Sequence, residues 1–187
     1  MNKKKLGVYI NFIGSINEKI SSLLISLLTE QLSSGVKLYR INISSVGDIV
    51  FYAASLFNFI SGLKDVIVNT HNIRQTDSTS NLLFFSGTKR IVNRSFGFFL
   101  HSLEIIIQSQ IPLFLEFLKE KVEGEEKDEL KMAKIIFNKI NKNIDEILKM
   151  FKERKTYSAQ ESKKSGFILD IKDSVGFSDI PIYTITN

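Results

Sequence analysis

Residues 75–90 read QTDSTSNLLFFSGTKR, and the reading of the whole chain grows out of them. After a polar stretch, residues 71–77, the segment from Ser78 leads into the apolar run Leu82 to Phe85, and Gly87 closes it. That pattern predicts a short buried helix over residues 78–85. Apolar runs of β type flank it, residues 66–70 before it and residues 90–92 and 96–101 after it. Strand, helix and strand in that order make a β/α unit rather than part of a helical bundle.

Working upstream, the same alternation repeats. Residues 8–13 and 36–43 predict two further strands. Between them, residues 16–32 place Ile20, Leu23, Leu24, Leu27 and Leu28 on one helical face, and Gly35 stops the helix. Residues 49–63, rich in Ala, Phe and Ile, predict a second helix. Downstream the character changes: residues 111–151 have helical periodicity and heavy charge, with a break expected around Glu123 to Glu126, so two helices are predicted. Ser158 to Glu161 (SAQE) is a capping-box pattern opening one more helix, with Gly166 at its end and the apolar run 167–169 after it. No repeat and no low-complexity linker divides the chain, which predicts a single domain over residues 1–187: a core of residues 1–103 and 154–187 and a helical arm of about residues 104–153.

Composition narrows the chemistry. The 187 residues are 43% hydrophobic with 15 Phe, enough to build a core. The absence of Cys removes disulfides, thiolate zinc sites and cysteine nucleophiles, leaving serine, threonine or carboxylate routes. No phosphate-binding glycine loop or metal-ligand cluster is present in the pattern, so neither a cofactor nor a metal is expected. The formal net charge is +5, but Lys and Arg mix with Glu and Asp instead of forming one basic stripe, so no nucleic-acid partner is expected. The apolar run of residues 105–118 is broken by Gln108, Gln110 and Glu116 and is too short for a membrane span. The basic N-terminus lacks a signal-peptide pattern, and a cytoplasmic location is expected.

Ser78 at a helix start is ordinarily an N-cap, and His101 at a strand end is ordinarily structural. Their surroundings alter that reading. Residues 43–50 (ISSVGDIV) form a strand-to-helix turn with Gly47 at the bend. Residues 75–90 carry Ser78 with Gln75, Leu82, Leu83, Gly87, Lys89 and Arg90 around it. Residues 90–102 (RIVNRSFGFFLHS) run through an Asn-containing turn into an apolar strand ending at His101. Together these segments resemble the proteolytic subunit of the Clp protease family, whose corresponding stretches are NSPGG followed by a small or acidic residue and Val, QAASMG followed by an apolar helix and Lys-Arg, and a strand leading to His. Residues 158–171 are similar to the segment the family carries after its acid.

The resemblance implies an α/β fold of the Clp-protease/crotonase type, a β/α superhelical core of repeated ββα units with a handle-like helical arm. It implies a serine-type endopeptidase with Ser78 as nucleophile and His101 as base. The oxyanion donors it implies are the amide of Thr79 and that of Asp48, or of Gly47 after a one-residue shift. Arg154 stands where the family has its acid, and Glu153, one residue before, is the candidate third member. An ionised carboxylate at Asp77 works against an oxyanion beside it. Also implied are a peptide or unfolded-protein substrate, a homo-oligomeric ring of six or seven subunits and an ATP-dependent unfoldase partner; the exposed apolar residues Leu113, Phe114, Leu115, Phe117 and Leu118 are expected to serve the assembly. Two alternatives share the fold: a catalytically degenerate structural subunit, and a crotonase-like acyl-CoA enzyme. His71 is expected to be structural or exposed.

Overall fold

The computed structural model describes residues 7–105, 114–173 and 180–187. Lys3 to Lys5 and Leu113 lie outside the described residues, as does the start of the expected arm helix. The chain is mixed α/β. Strand β1 (Val8–Ile13) leads to helix α1 (Glu18–Ser33), β2 (Leu38–Ser45), α2 (Val50–Gly62) and a long β3 (Ile67–Asp77). Then come α3 (Ser80–Phe85), β4 (Lys89–Val92), β5 (Phe98–Leu100), α4 (Leu115–Phe137) and α5 (Ile144–Glu153). The C-terminal part holds β6 (Lys155–Tyr157), α6 (Ala159–Lys164), β7 (Asp170–Ile171) and β8 (Ile182–Thr186).

The strands join in the order β6-β5-β3-β2-β1-β8, with β4 pairing β3 and β7. Every pairing is parallel except β5 with β6. Helices α1 and α2 make the crossovers between parallel neighbours, as parallel pairing requires. In β2, Tyr39, Ile41, Ile43 and Ser45 are buried and alternate with partly exposed residues, so one face of the strand enters the core. The buried stripe of α1, Ile20, Leu24 and Leu28 with Leu27 partly buried, follows the predicted face except at Leu23, which is exposed, and Asn17 caps the helix by accepting the Ile20 N–H at 3.1 Å.

Strand β3 is longer than expected, because the polar stretch of residues 71–77 continues it beyond residue 70. Its first part, Asn69–Asn72, pairs with β4, and its end, Thr76–Asp77, pairs with β5. Between these parts the register against β2 slips: Ile43 faces Asn72 but Ser45 faces Thr76, so β3 holds two additional residues there. Such a bulge bends the strand and re-aims the residues beyond it. Backbone pairing on both parts holds the extension, and Asn72 donates its side-chain amide to the Gly97 carbonyl at 2.7 Å.

The expected break around Glu123 to Glu126 is absent: α4 runs through it, and the interruption falls after Phe137. Gly124 costs a helix interior about 1 kcal/mol relative to Ala, which flanking Glu and Lys residues offset, including the Glu123–Lys127 pair at 3.9 Å. Asn143 then starts α5 with a full capping box to Glu146. The later half of α4 buries Met132, Ala133 and Ile136, and α5 buries Ile147, Met150 and Phe151, so the base of the arm belongs to the core. Phe84, Phe85, Phe98, Tyr157 and Phe167 form an aromatic cluster joining α3, β5 and β6, with Phe84 and Phe98 centroids 4.5 Å apart. This cluster fixes the two elements that flank Ser78 and His101 in the chain.

Candidate active site

Between β3 and α3 the backbone reverses at Ser78, which has φ +51°, a left-handed conformation uncommon outside glycine. The helix therefore begins at Ser80, two residues later than expected, and Ser78 sits in the turn, half-buried. Ser80, fully buried, holds the turn: its hydroxyl accepts the Asp77 N–H at 2.9 Å and lies 2.8 Å from the Ser45 carbonyl and 2.6 Å from that of Asp77. Asn81 adds side-chain donation to the carbonyls of Ser78 at 2.9 Å and Phe99 at 3.2 Å, linking the turn to β5.

His101 follows β5 directly. Its Nδ1 is 2.7 Å from the Ser102 carbonyl oxygen. A carbonyl only accepts, so Nδ1 carries the proton, and the neutral ring keeps its lone pair on Nε2. The ring stacks on Phe99 at 4.7 Å and 27°, and the Arg154 guanidinium lies 6.0 Å from the Phe99 ring centre. Arg154, itself left-handed at φ 49°, pairs with Glu104 at 2.5 Å.

A cavity of about 620 Å³ is lined by Ser78 and His101 together with Gly47, Asp48, Leu103 and Glu104, and by Glu125 and Asp128 of α4 among others. Val46, Ile49 and Phe51 give it an apolar, solvent-exposed rim. It thus brings together Ser78, His101, Gly47 and Asp48. Thr79 is fully buried and is not among its lining residues. Glu153 is not there either: it is exposed at the end of α5, where its charge acts on Lys155 and Tyr157.

The oxyanion candidates divide in an unexpected way. The Gly47 N–H donates to Ser45 Oγ at 3.1 Å, and the Asp48 N–H donates to Thr79 Oγ1 at 2.9 Å. Gly47 has φ +85°, and a Cβ there would sit 2.6 Å from Thr79 Oγ1, so only glycine lets the two turns touch.

Two carboxylates that the spacing did not nominate as partners of His101 feel its charge. Burial pushes the Asp77 carboxyl above its ordinary value, while the Gln75 side-chain amide, the charge of His101 and the Phe99 N–H partly oppose the rise. The hydrogen bond and charge of Arg154 hold Glu104 below the usual carboxylate range, with His101 adding to the effect. Glu104 lies three residues beyond His101, but nothing in an irregular segment tells which way it points. Elsewhere, His71 lines a smaller polar cleft with its Nε2 3.0 Å from the Lys172 carbonyl, and burial lowers its pKa.

Chemically, the arrangement offers a hydroxyl, an imidazole in the tautomer of a general base and carboxylates able to stabilise its protonated form. Among the described residues no group of three or more His, Asp or Glu is placed to hold a metal ion, and no helix is long and apolar enough to cross a membrane. No protein-family model matches the chain, and no curated protein matches it in sequence.

Proposed function

We propose that this protein is a serine-type endopeptidase of the Clp-protease kind, a divergent member with the corresponding fold. In the proposed reaction His101 Nε2 takes the Ser78 hydroxyl proton as the oxygen attacks a peptide carbonyl. The carbon–nitrogen bond then breaks, the imidazolium returns its proton to the departing amine, and water hydrolyses the acyl-serine by the reverse proton path. The Ser102 carbonyl holds the ring's tautomer, the task an acid performs elsewhere, and Glu104 and Asp77 stabilise the imidazolium. What carries the reading is that Ser78 and His101, 23 residues apart in the chain, line one cavity with the Gly47 turn, Ser78 in a left-handed bend. A nucleophile held in a strained strand-to-helix turn is a recurrent hydrolase device. The division of β3 between two strand partners fits a core of repeated β/α units.

With this reading go a peptide or unfolded-protein substrate, a cytoplasmic location, and a homo-oligomeric ring served by an ATP-dependent unfoldase. The exposed Phe114, Leu115 and Phe117 of the α4 region support assembly. A second reading, a structural subunit with a silent site, draws support from the engaged Asp48 amide and from Arg154 at the expected acid position. Fluorophosphonate labelling followed by peptide mapping separates them. The endopeptidase is modified at Ser78 and loses modification in His101→Ala, whereas the structural subunit assembles and takes no label at any concentration.

A further inference from the structure

The Asp48 N–H emerges from the bend at Gly47 and ends on Thr79 Oγ1, 2.9 Å away. An N–H has one hydrogen, so a donor committed to Thr79 is withheld from a substrate oxygen. The Gly47 N–H is committed as well, to Ser45 Oγ at 3.1 Å. Of the amides of Gly47, Asp48 and Thr79, only the N–H of Thr79 has no acceptor among the described residues. The Thr79 side chain is not free to swing away, since the residue is 0% exposed and packs on the Gly47 turn. Acyl transfer gains most from donors already aimed at the developing negative oxygen, and one such donor is worth on the order of a hundred- to a thousandfold in rate.

We propose that Thr79 is a positioning residue that restrains this site: its hydroxyl occupies the Asp48 amide and holds the hydrolase in a low-activity state with an incomplete oxyanion hole. The proposal rests on the endopeptidase reading of Ser78 and His101. It distinguishes a restrained enzyme from a silent one, because an engaged amide is recovered by removing a single oxygen. Thr79→Ala vacates that position and leaves the Asp48 N–H to substrate. Thr79→Ser keeps the acceptor. Thr79→Val removes the acceptor but leaves a methyl in its space, blocking an incoming oxygen.

The test uses the full chain and these three variants, checked for folding by circular dichroism. Two readouts are taken: the rate of Ser78 modification by a fluorophosphonate, and the amide hydrogen exchange of Asp48 by NMR. Thr79→Ala is expected to label at least about tenfold faster than wild type, a threshold set below the roughly hundred- to thousandfold that one fully aligned oxyanion donor supplies. Thr79→Ser should match wild type, and Thr79→Val should show no acceleration. Asp48 exchange should be slow in wild type and Thr79→Ser and at least about tenfold faster in Thr79→Ala, which a general loosening of the fold would not confine to one amide. Wild-type labelling as fast as that of Thr79→Ala overturns the role of Thr79 and leaves the endopeptidase reading standing. Absence of Ser78 labelling in every variant overturns that reading and the proposal with it. Should Thr79→Ala fail to fold, an unprotected Asp48 amide in wild type, or faster labelling of Thr79→Ser, is enough to reject the proposal.

Discussion

Substituting Gly47 by Ala tests the contact between the two turns that build the site. Gly47 has φ +85°, and the added Cβ would meet Thr79 Oγ1 at 2.6 Å, Thr79 N at 2.9 Å and the Asp77 carbonyl at 3.1 Å. The left-handed backbone costs an alanine about 1–2 kcal/mol. Overpacking against a buried neighbour adds about 1–3 kcal/mol, because Thr79 is fully buried and two of the three atoms are backbone. The combined loss is about 2–5 kcal/mol, a fall in Tm of roughly 4–20 °C for a domain of this size. Denaturant unfolding of Gly47→Ala beside Gly124→Ala measures it. Gly124 lies exposed in α4 with nothing within 4 Å of its added Cβ, so that substitution should instead stabilise by about 0.5–1 kcal/mol. If Gly47→Ala changes stability by less than about 0.5 kcal/mol, the close apposition of the turns is refuted.

Asp77→Asn should raise Tm at pH 7: burial raises the folded-state pKa, so the stability this group contributes is full below the unfolded carboxyl value of about 3.9 and is lost as pH climbs through the folded value. The advantage of Asn should therefore vanish below about pH 4, and an equal effect at both pH values in thermal melts would count against burial as the cause. Arg154→Gln should move the Glu104 pKa up toward its ordinary range in an NMR titration, since the Arg154 hydrogen bond is the main cause of its depression; an unmoved titration rejects that pairing. Among the described residues the cavity is lined by Asp48, Glu104, Glu125 and Asp128 and by no Lys or Arg, in a chain of net charge +5. A Lys-rich peptide should bind Ser78→Ala more weakly as salt is added, and tighter binding of an acidic peptide at low salt would contradict the local field.

Much of the fold is legible along the chain. The strands Val8–Ile13 and Lys89–Val92 and the helices α1, α2 and α6 announce themselves through apolar spacing, caps and glycines, all of which are local properties. Strand β3 is legible only in its first half, because the polar stretch of residues 71–77 shows no strand pattern of its own and is extended by the partners that β4 and β5 supply. The short strands β6 to β8 escape detection by periodicity for the same reason, as two to five residues hold too little pattern. Gly124 misleads in the other direction, its local cost being overcome by the helix around it.

At the site, the chain by itself determined the chemical inventory: a serine at the start of a short buried segment, a histidine 23 residues on, and no thiol. The tertiary structure alone decided their company. Residues 31 positions apart meet in the bond from Asp48 to Thr79, and Asp77, Glu104, Glu125 and Asp128 converge from three separate segments on the cavity or on His101. Side-chain pattern records which faces are buried, since burial follows from polarity residue by residue. Which hydrogen bond an amide makes, and which charge an imidazole feels, depends on distances of a few ångströms that exist only once the strands have paired.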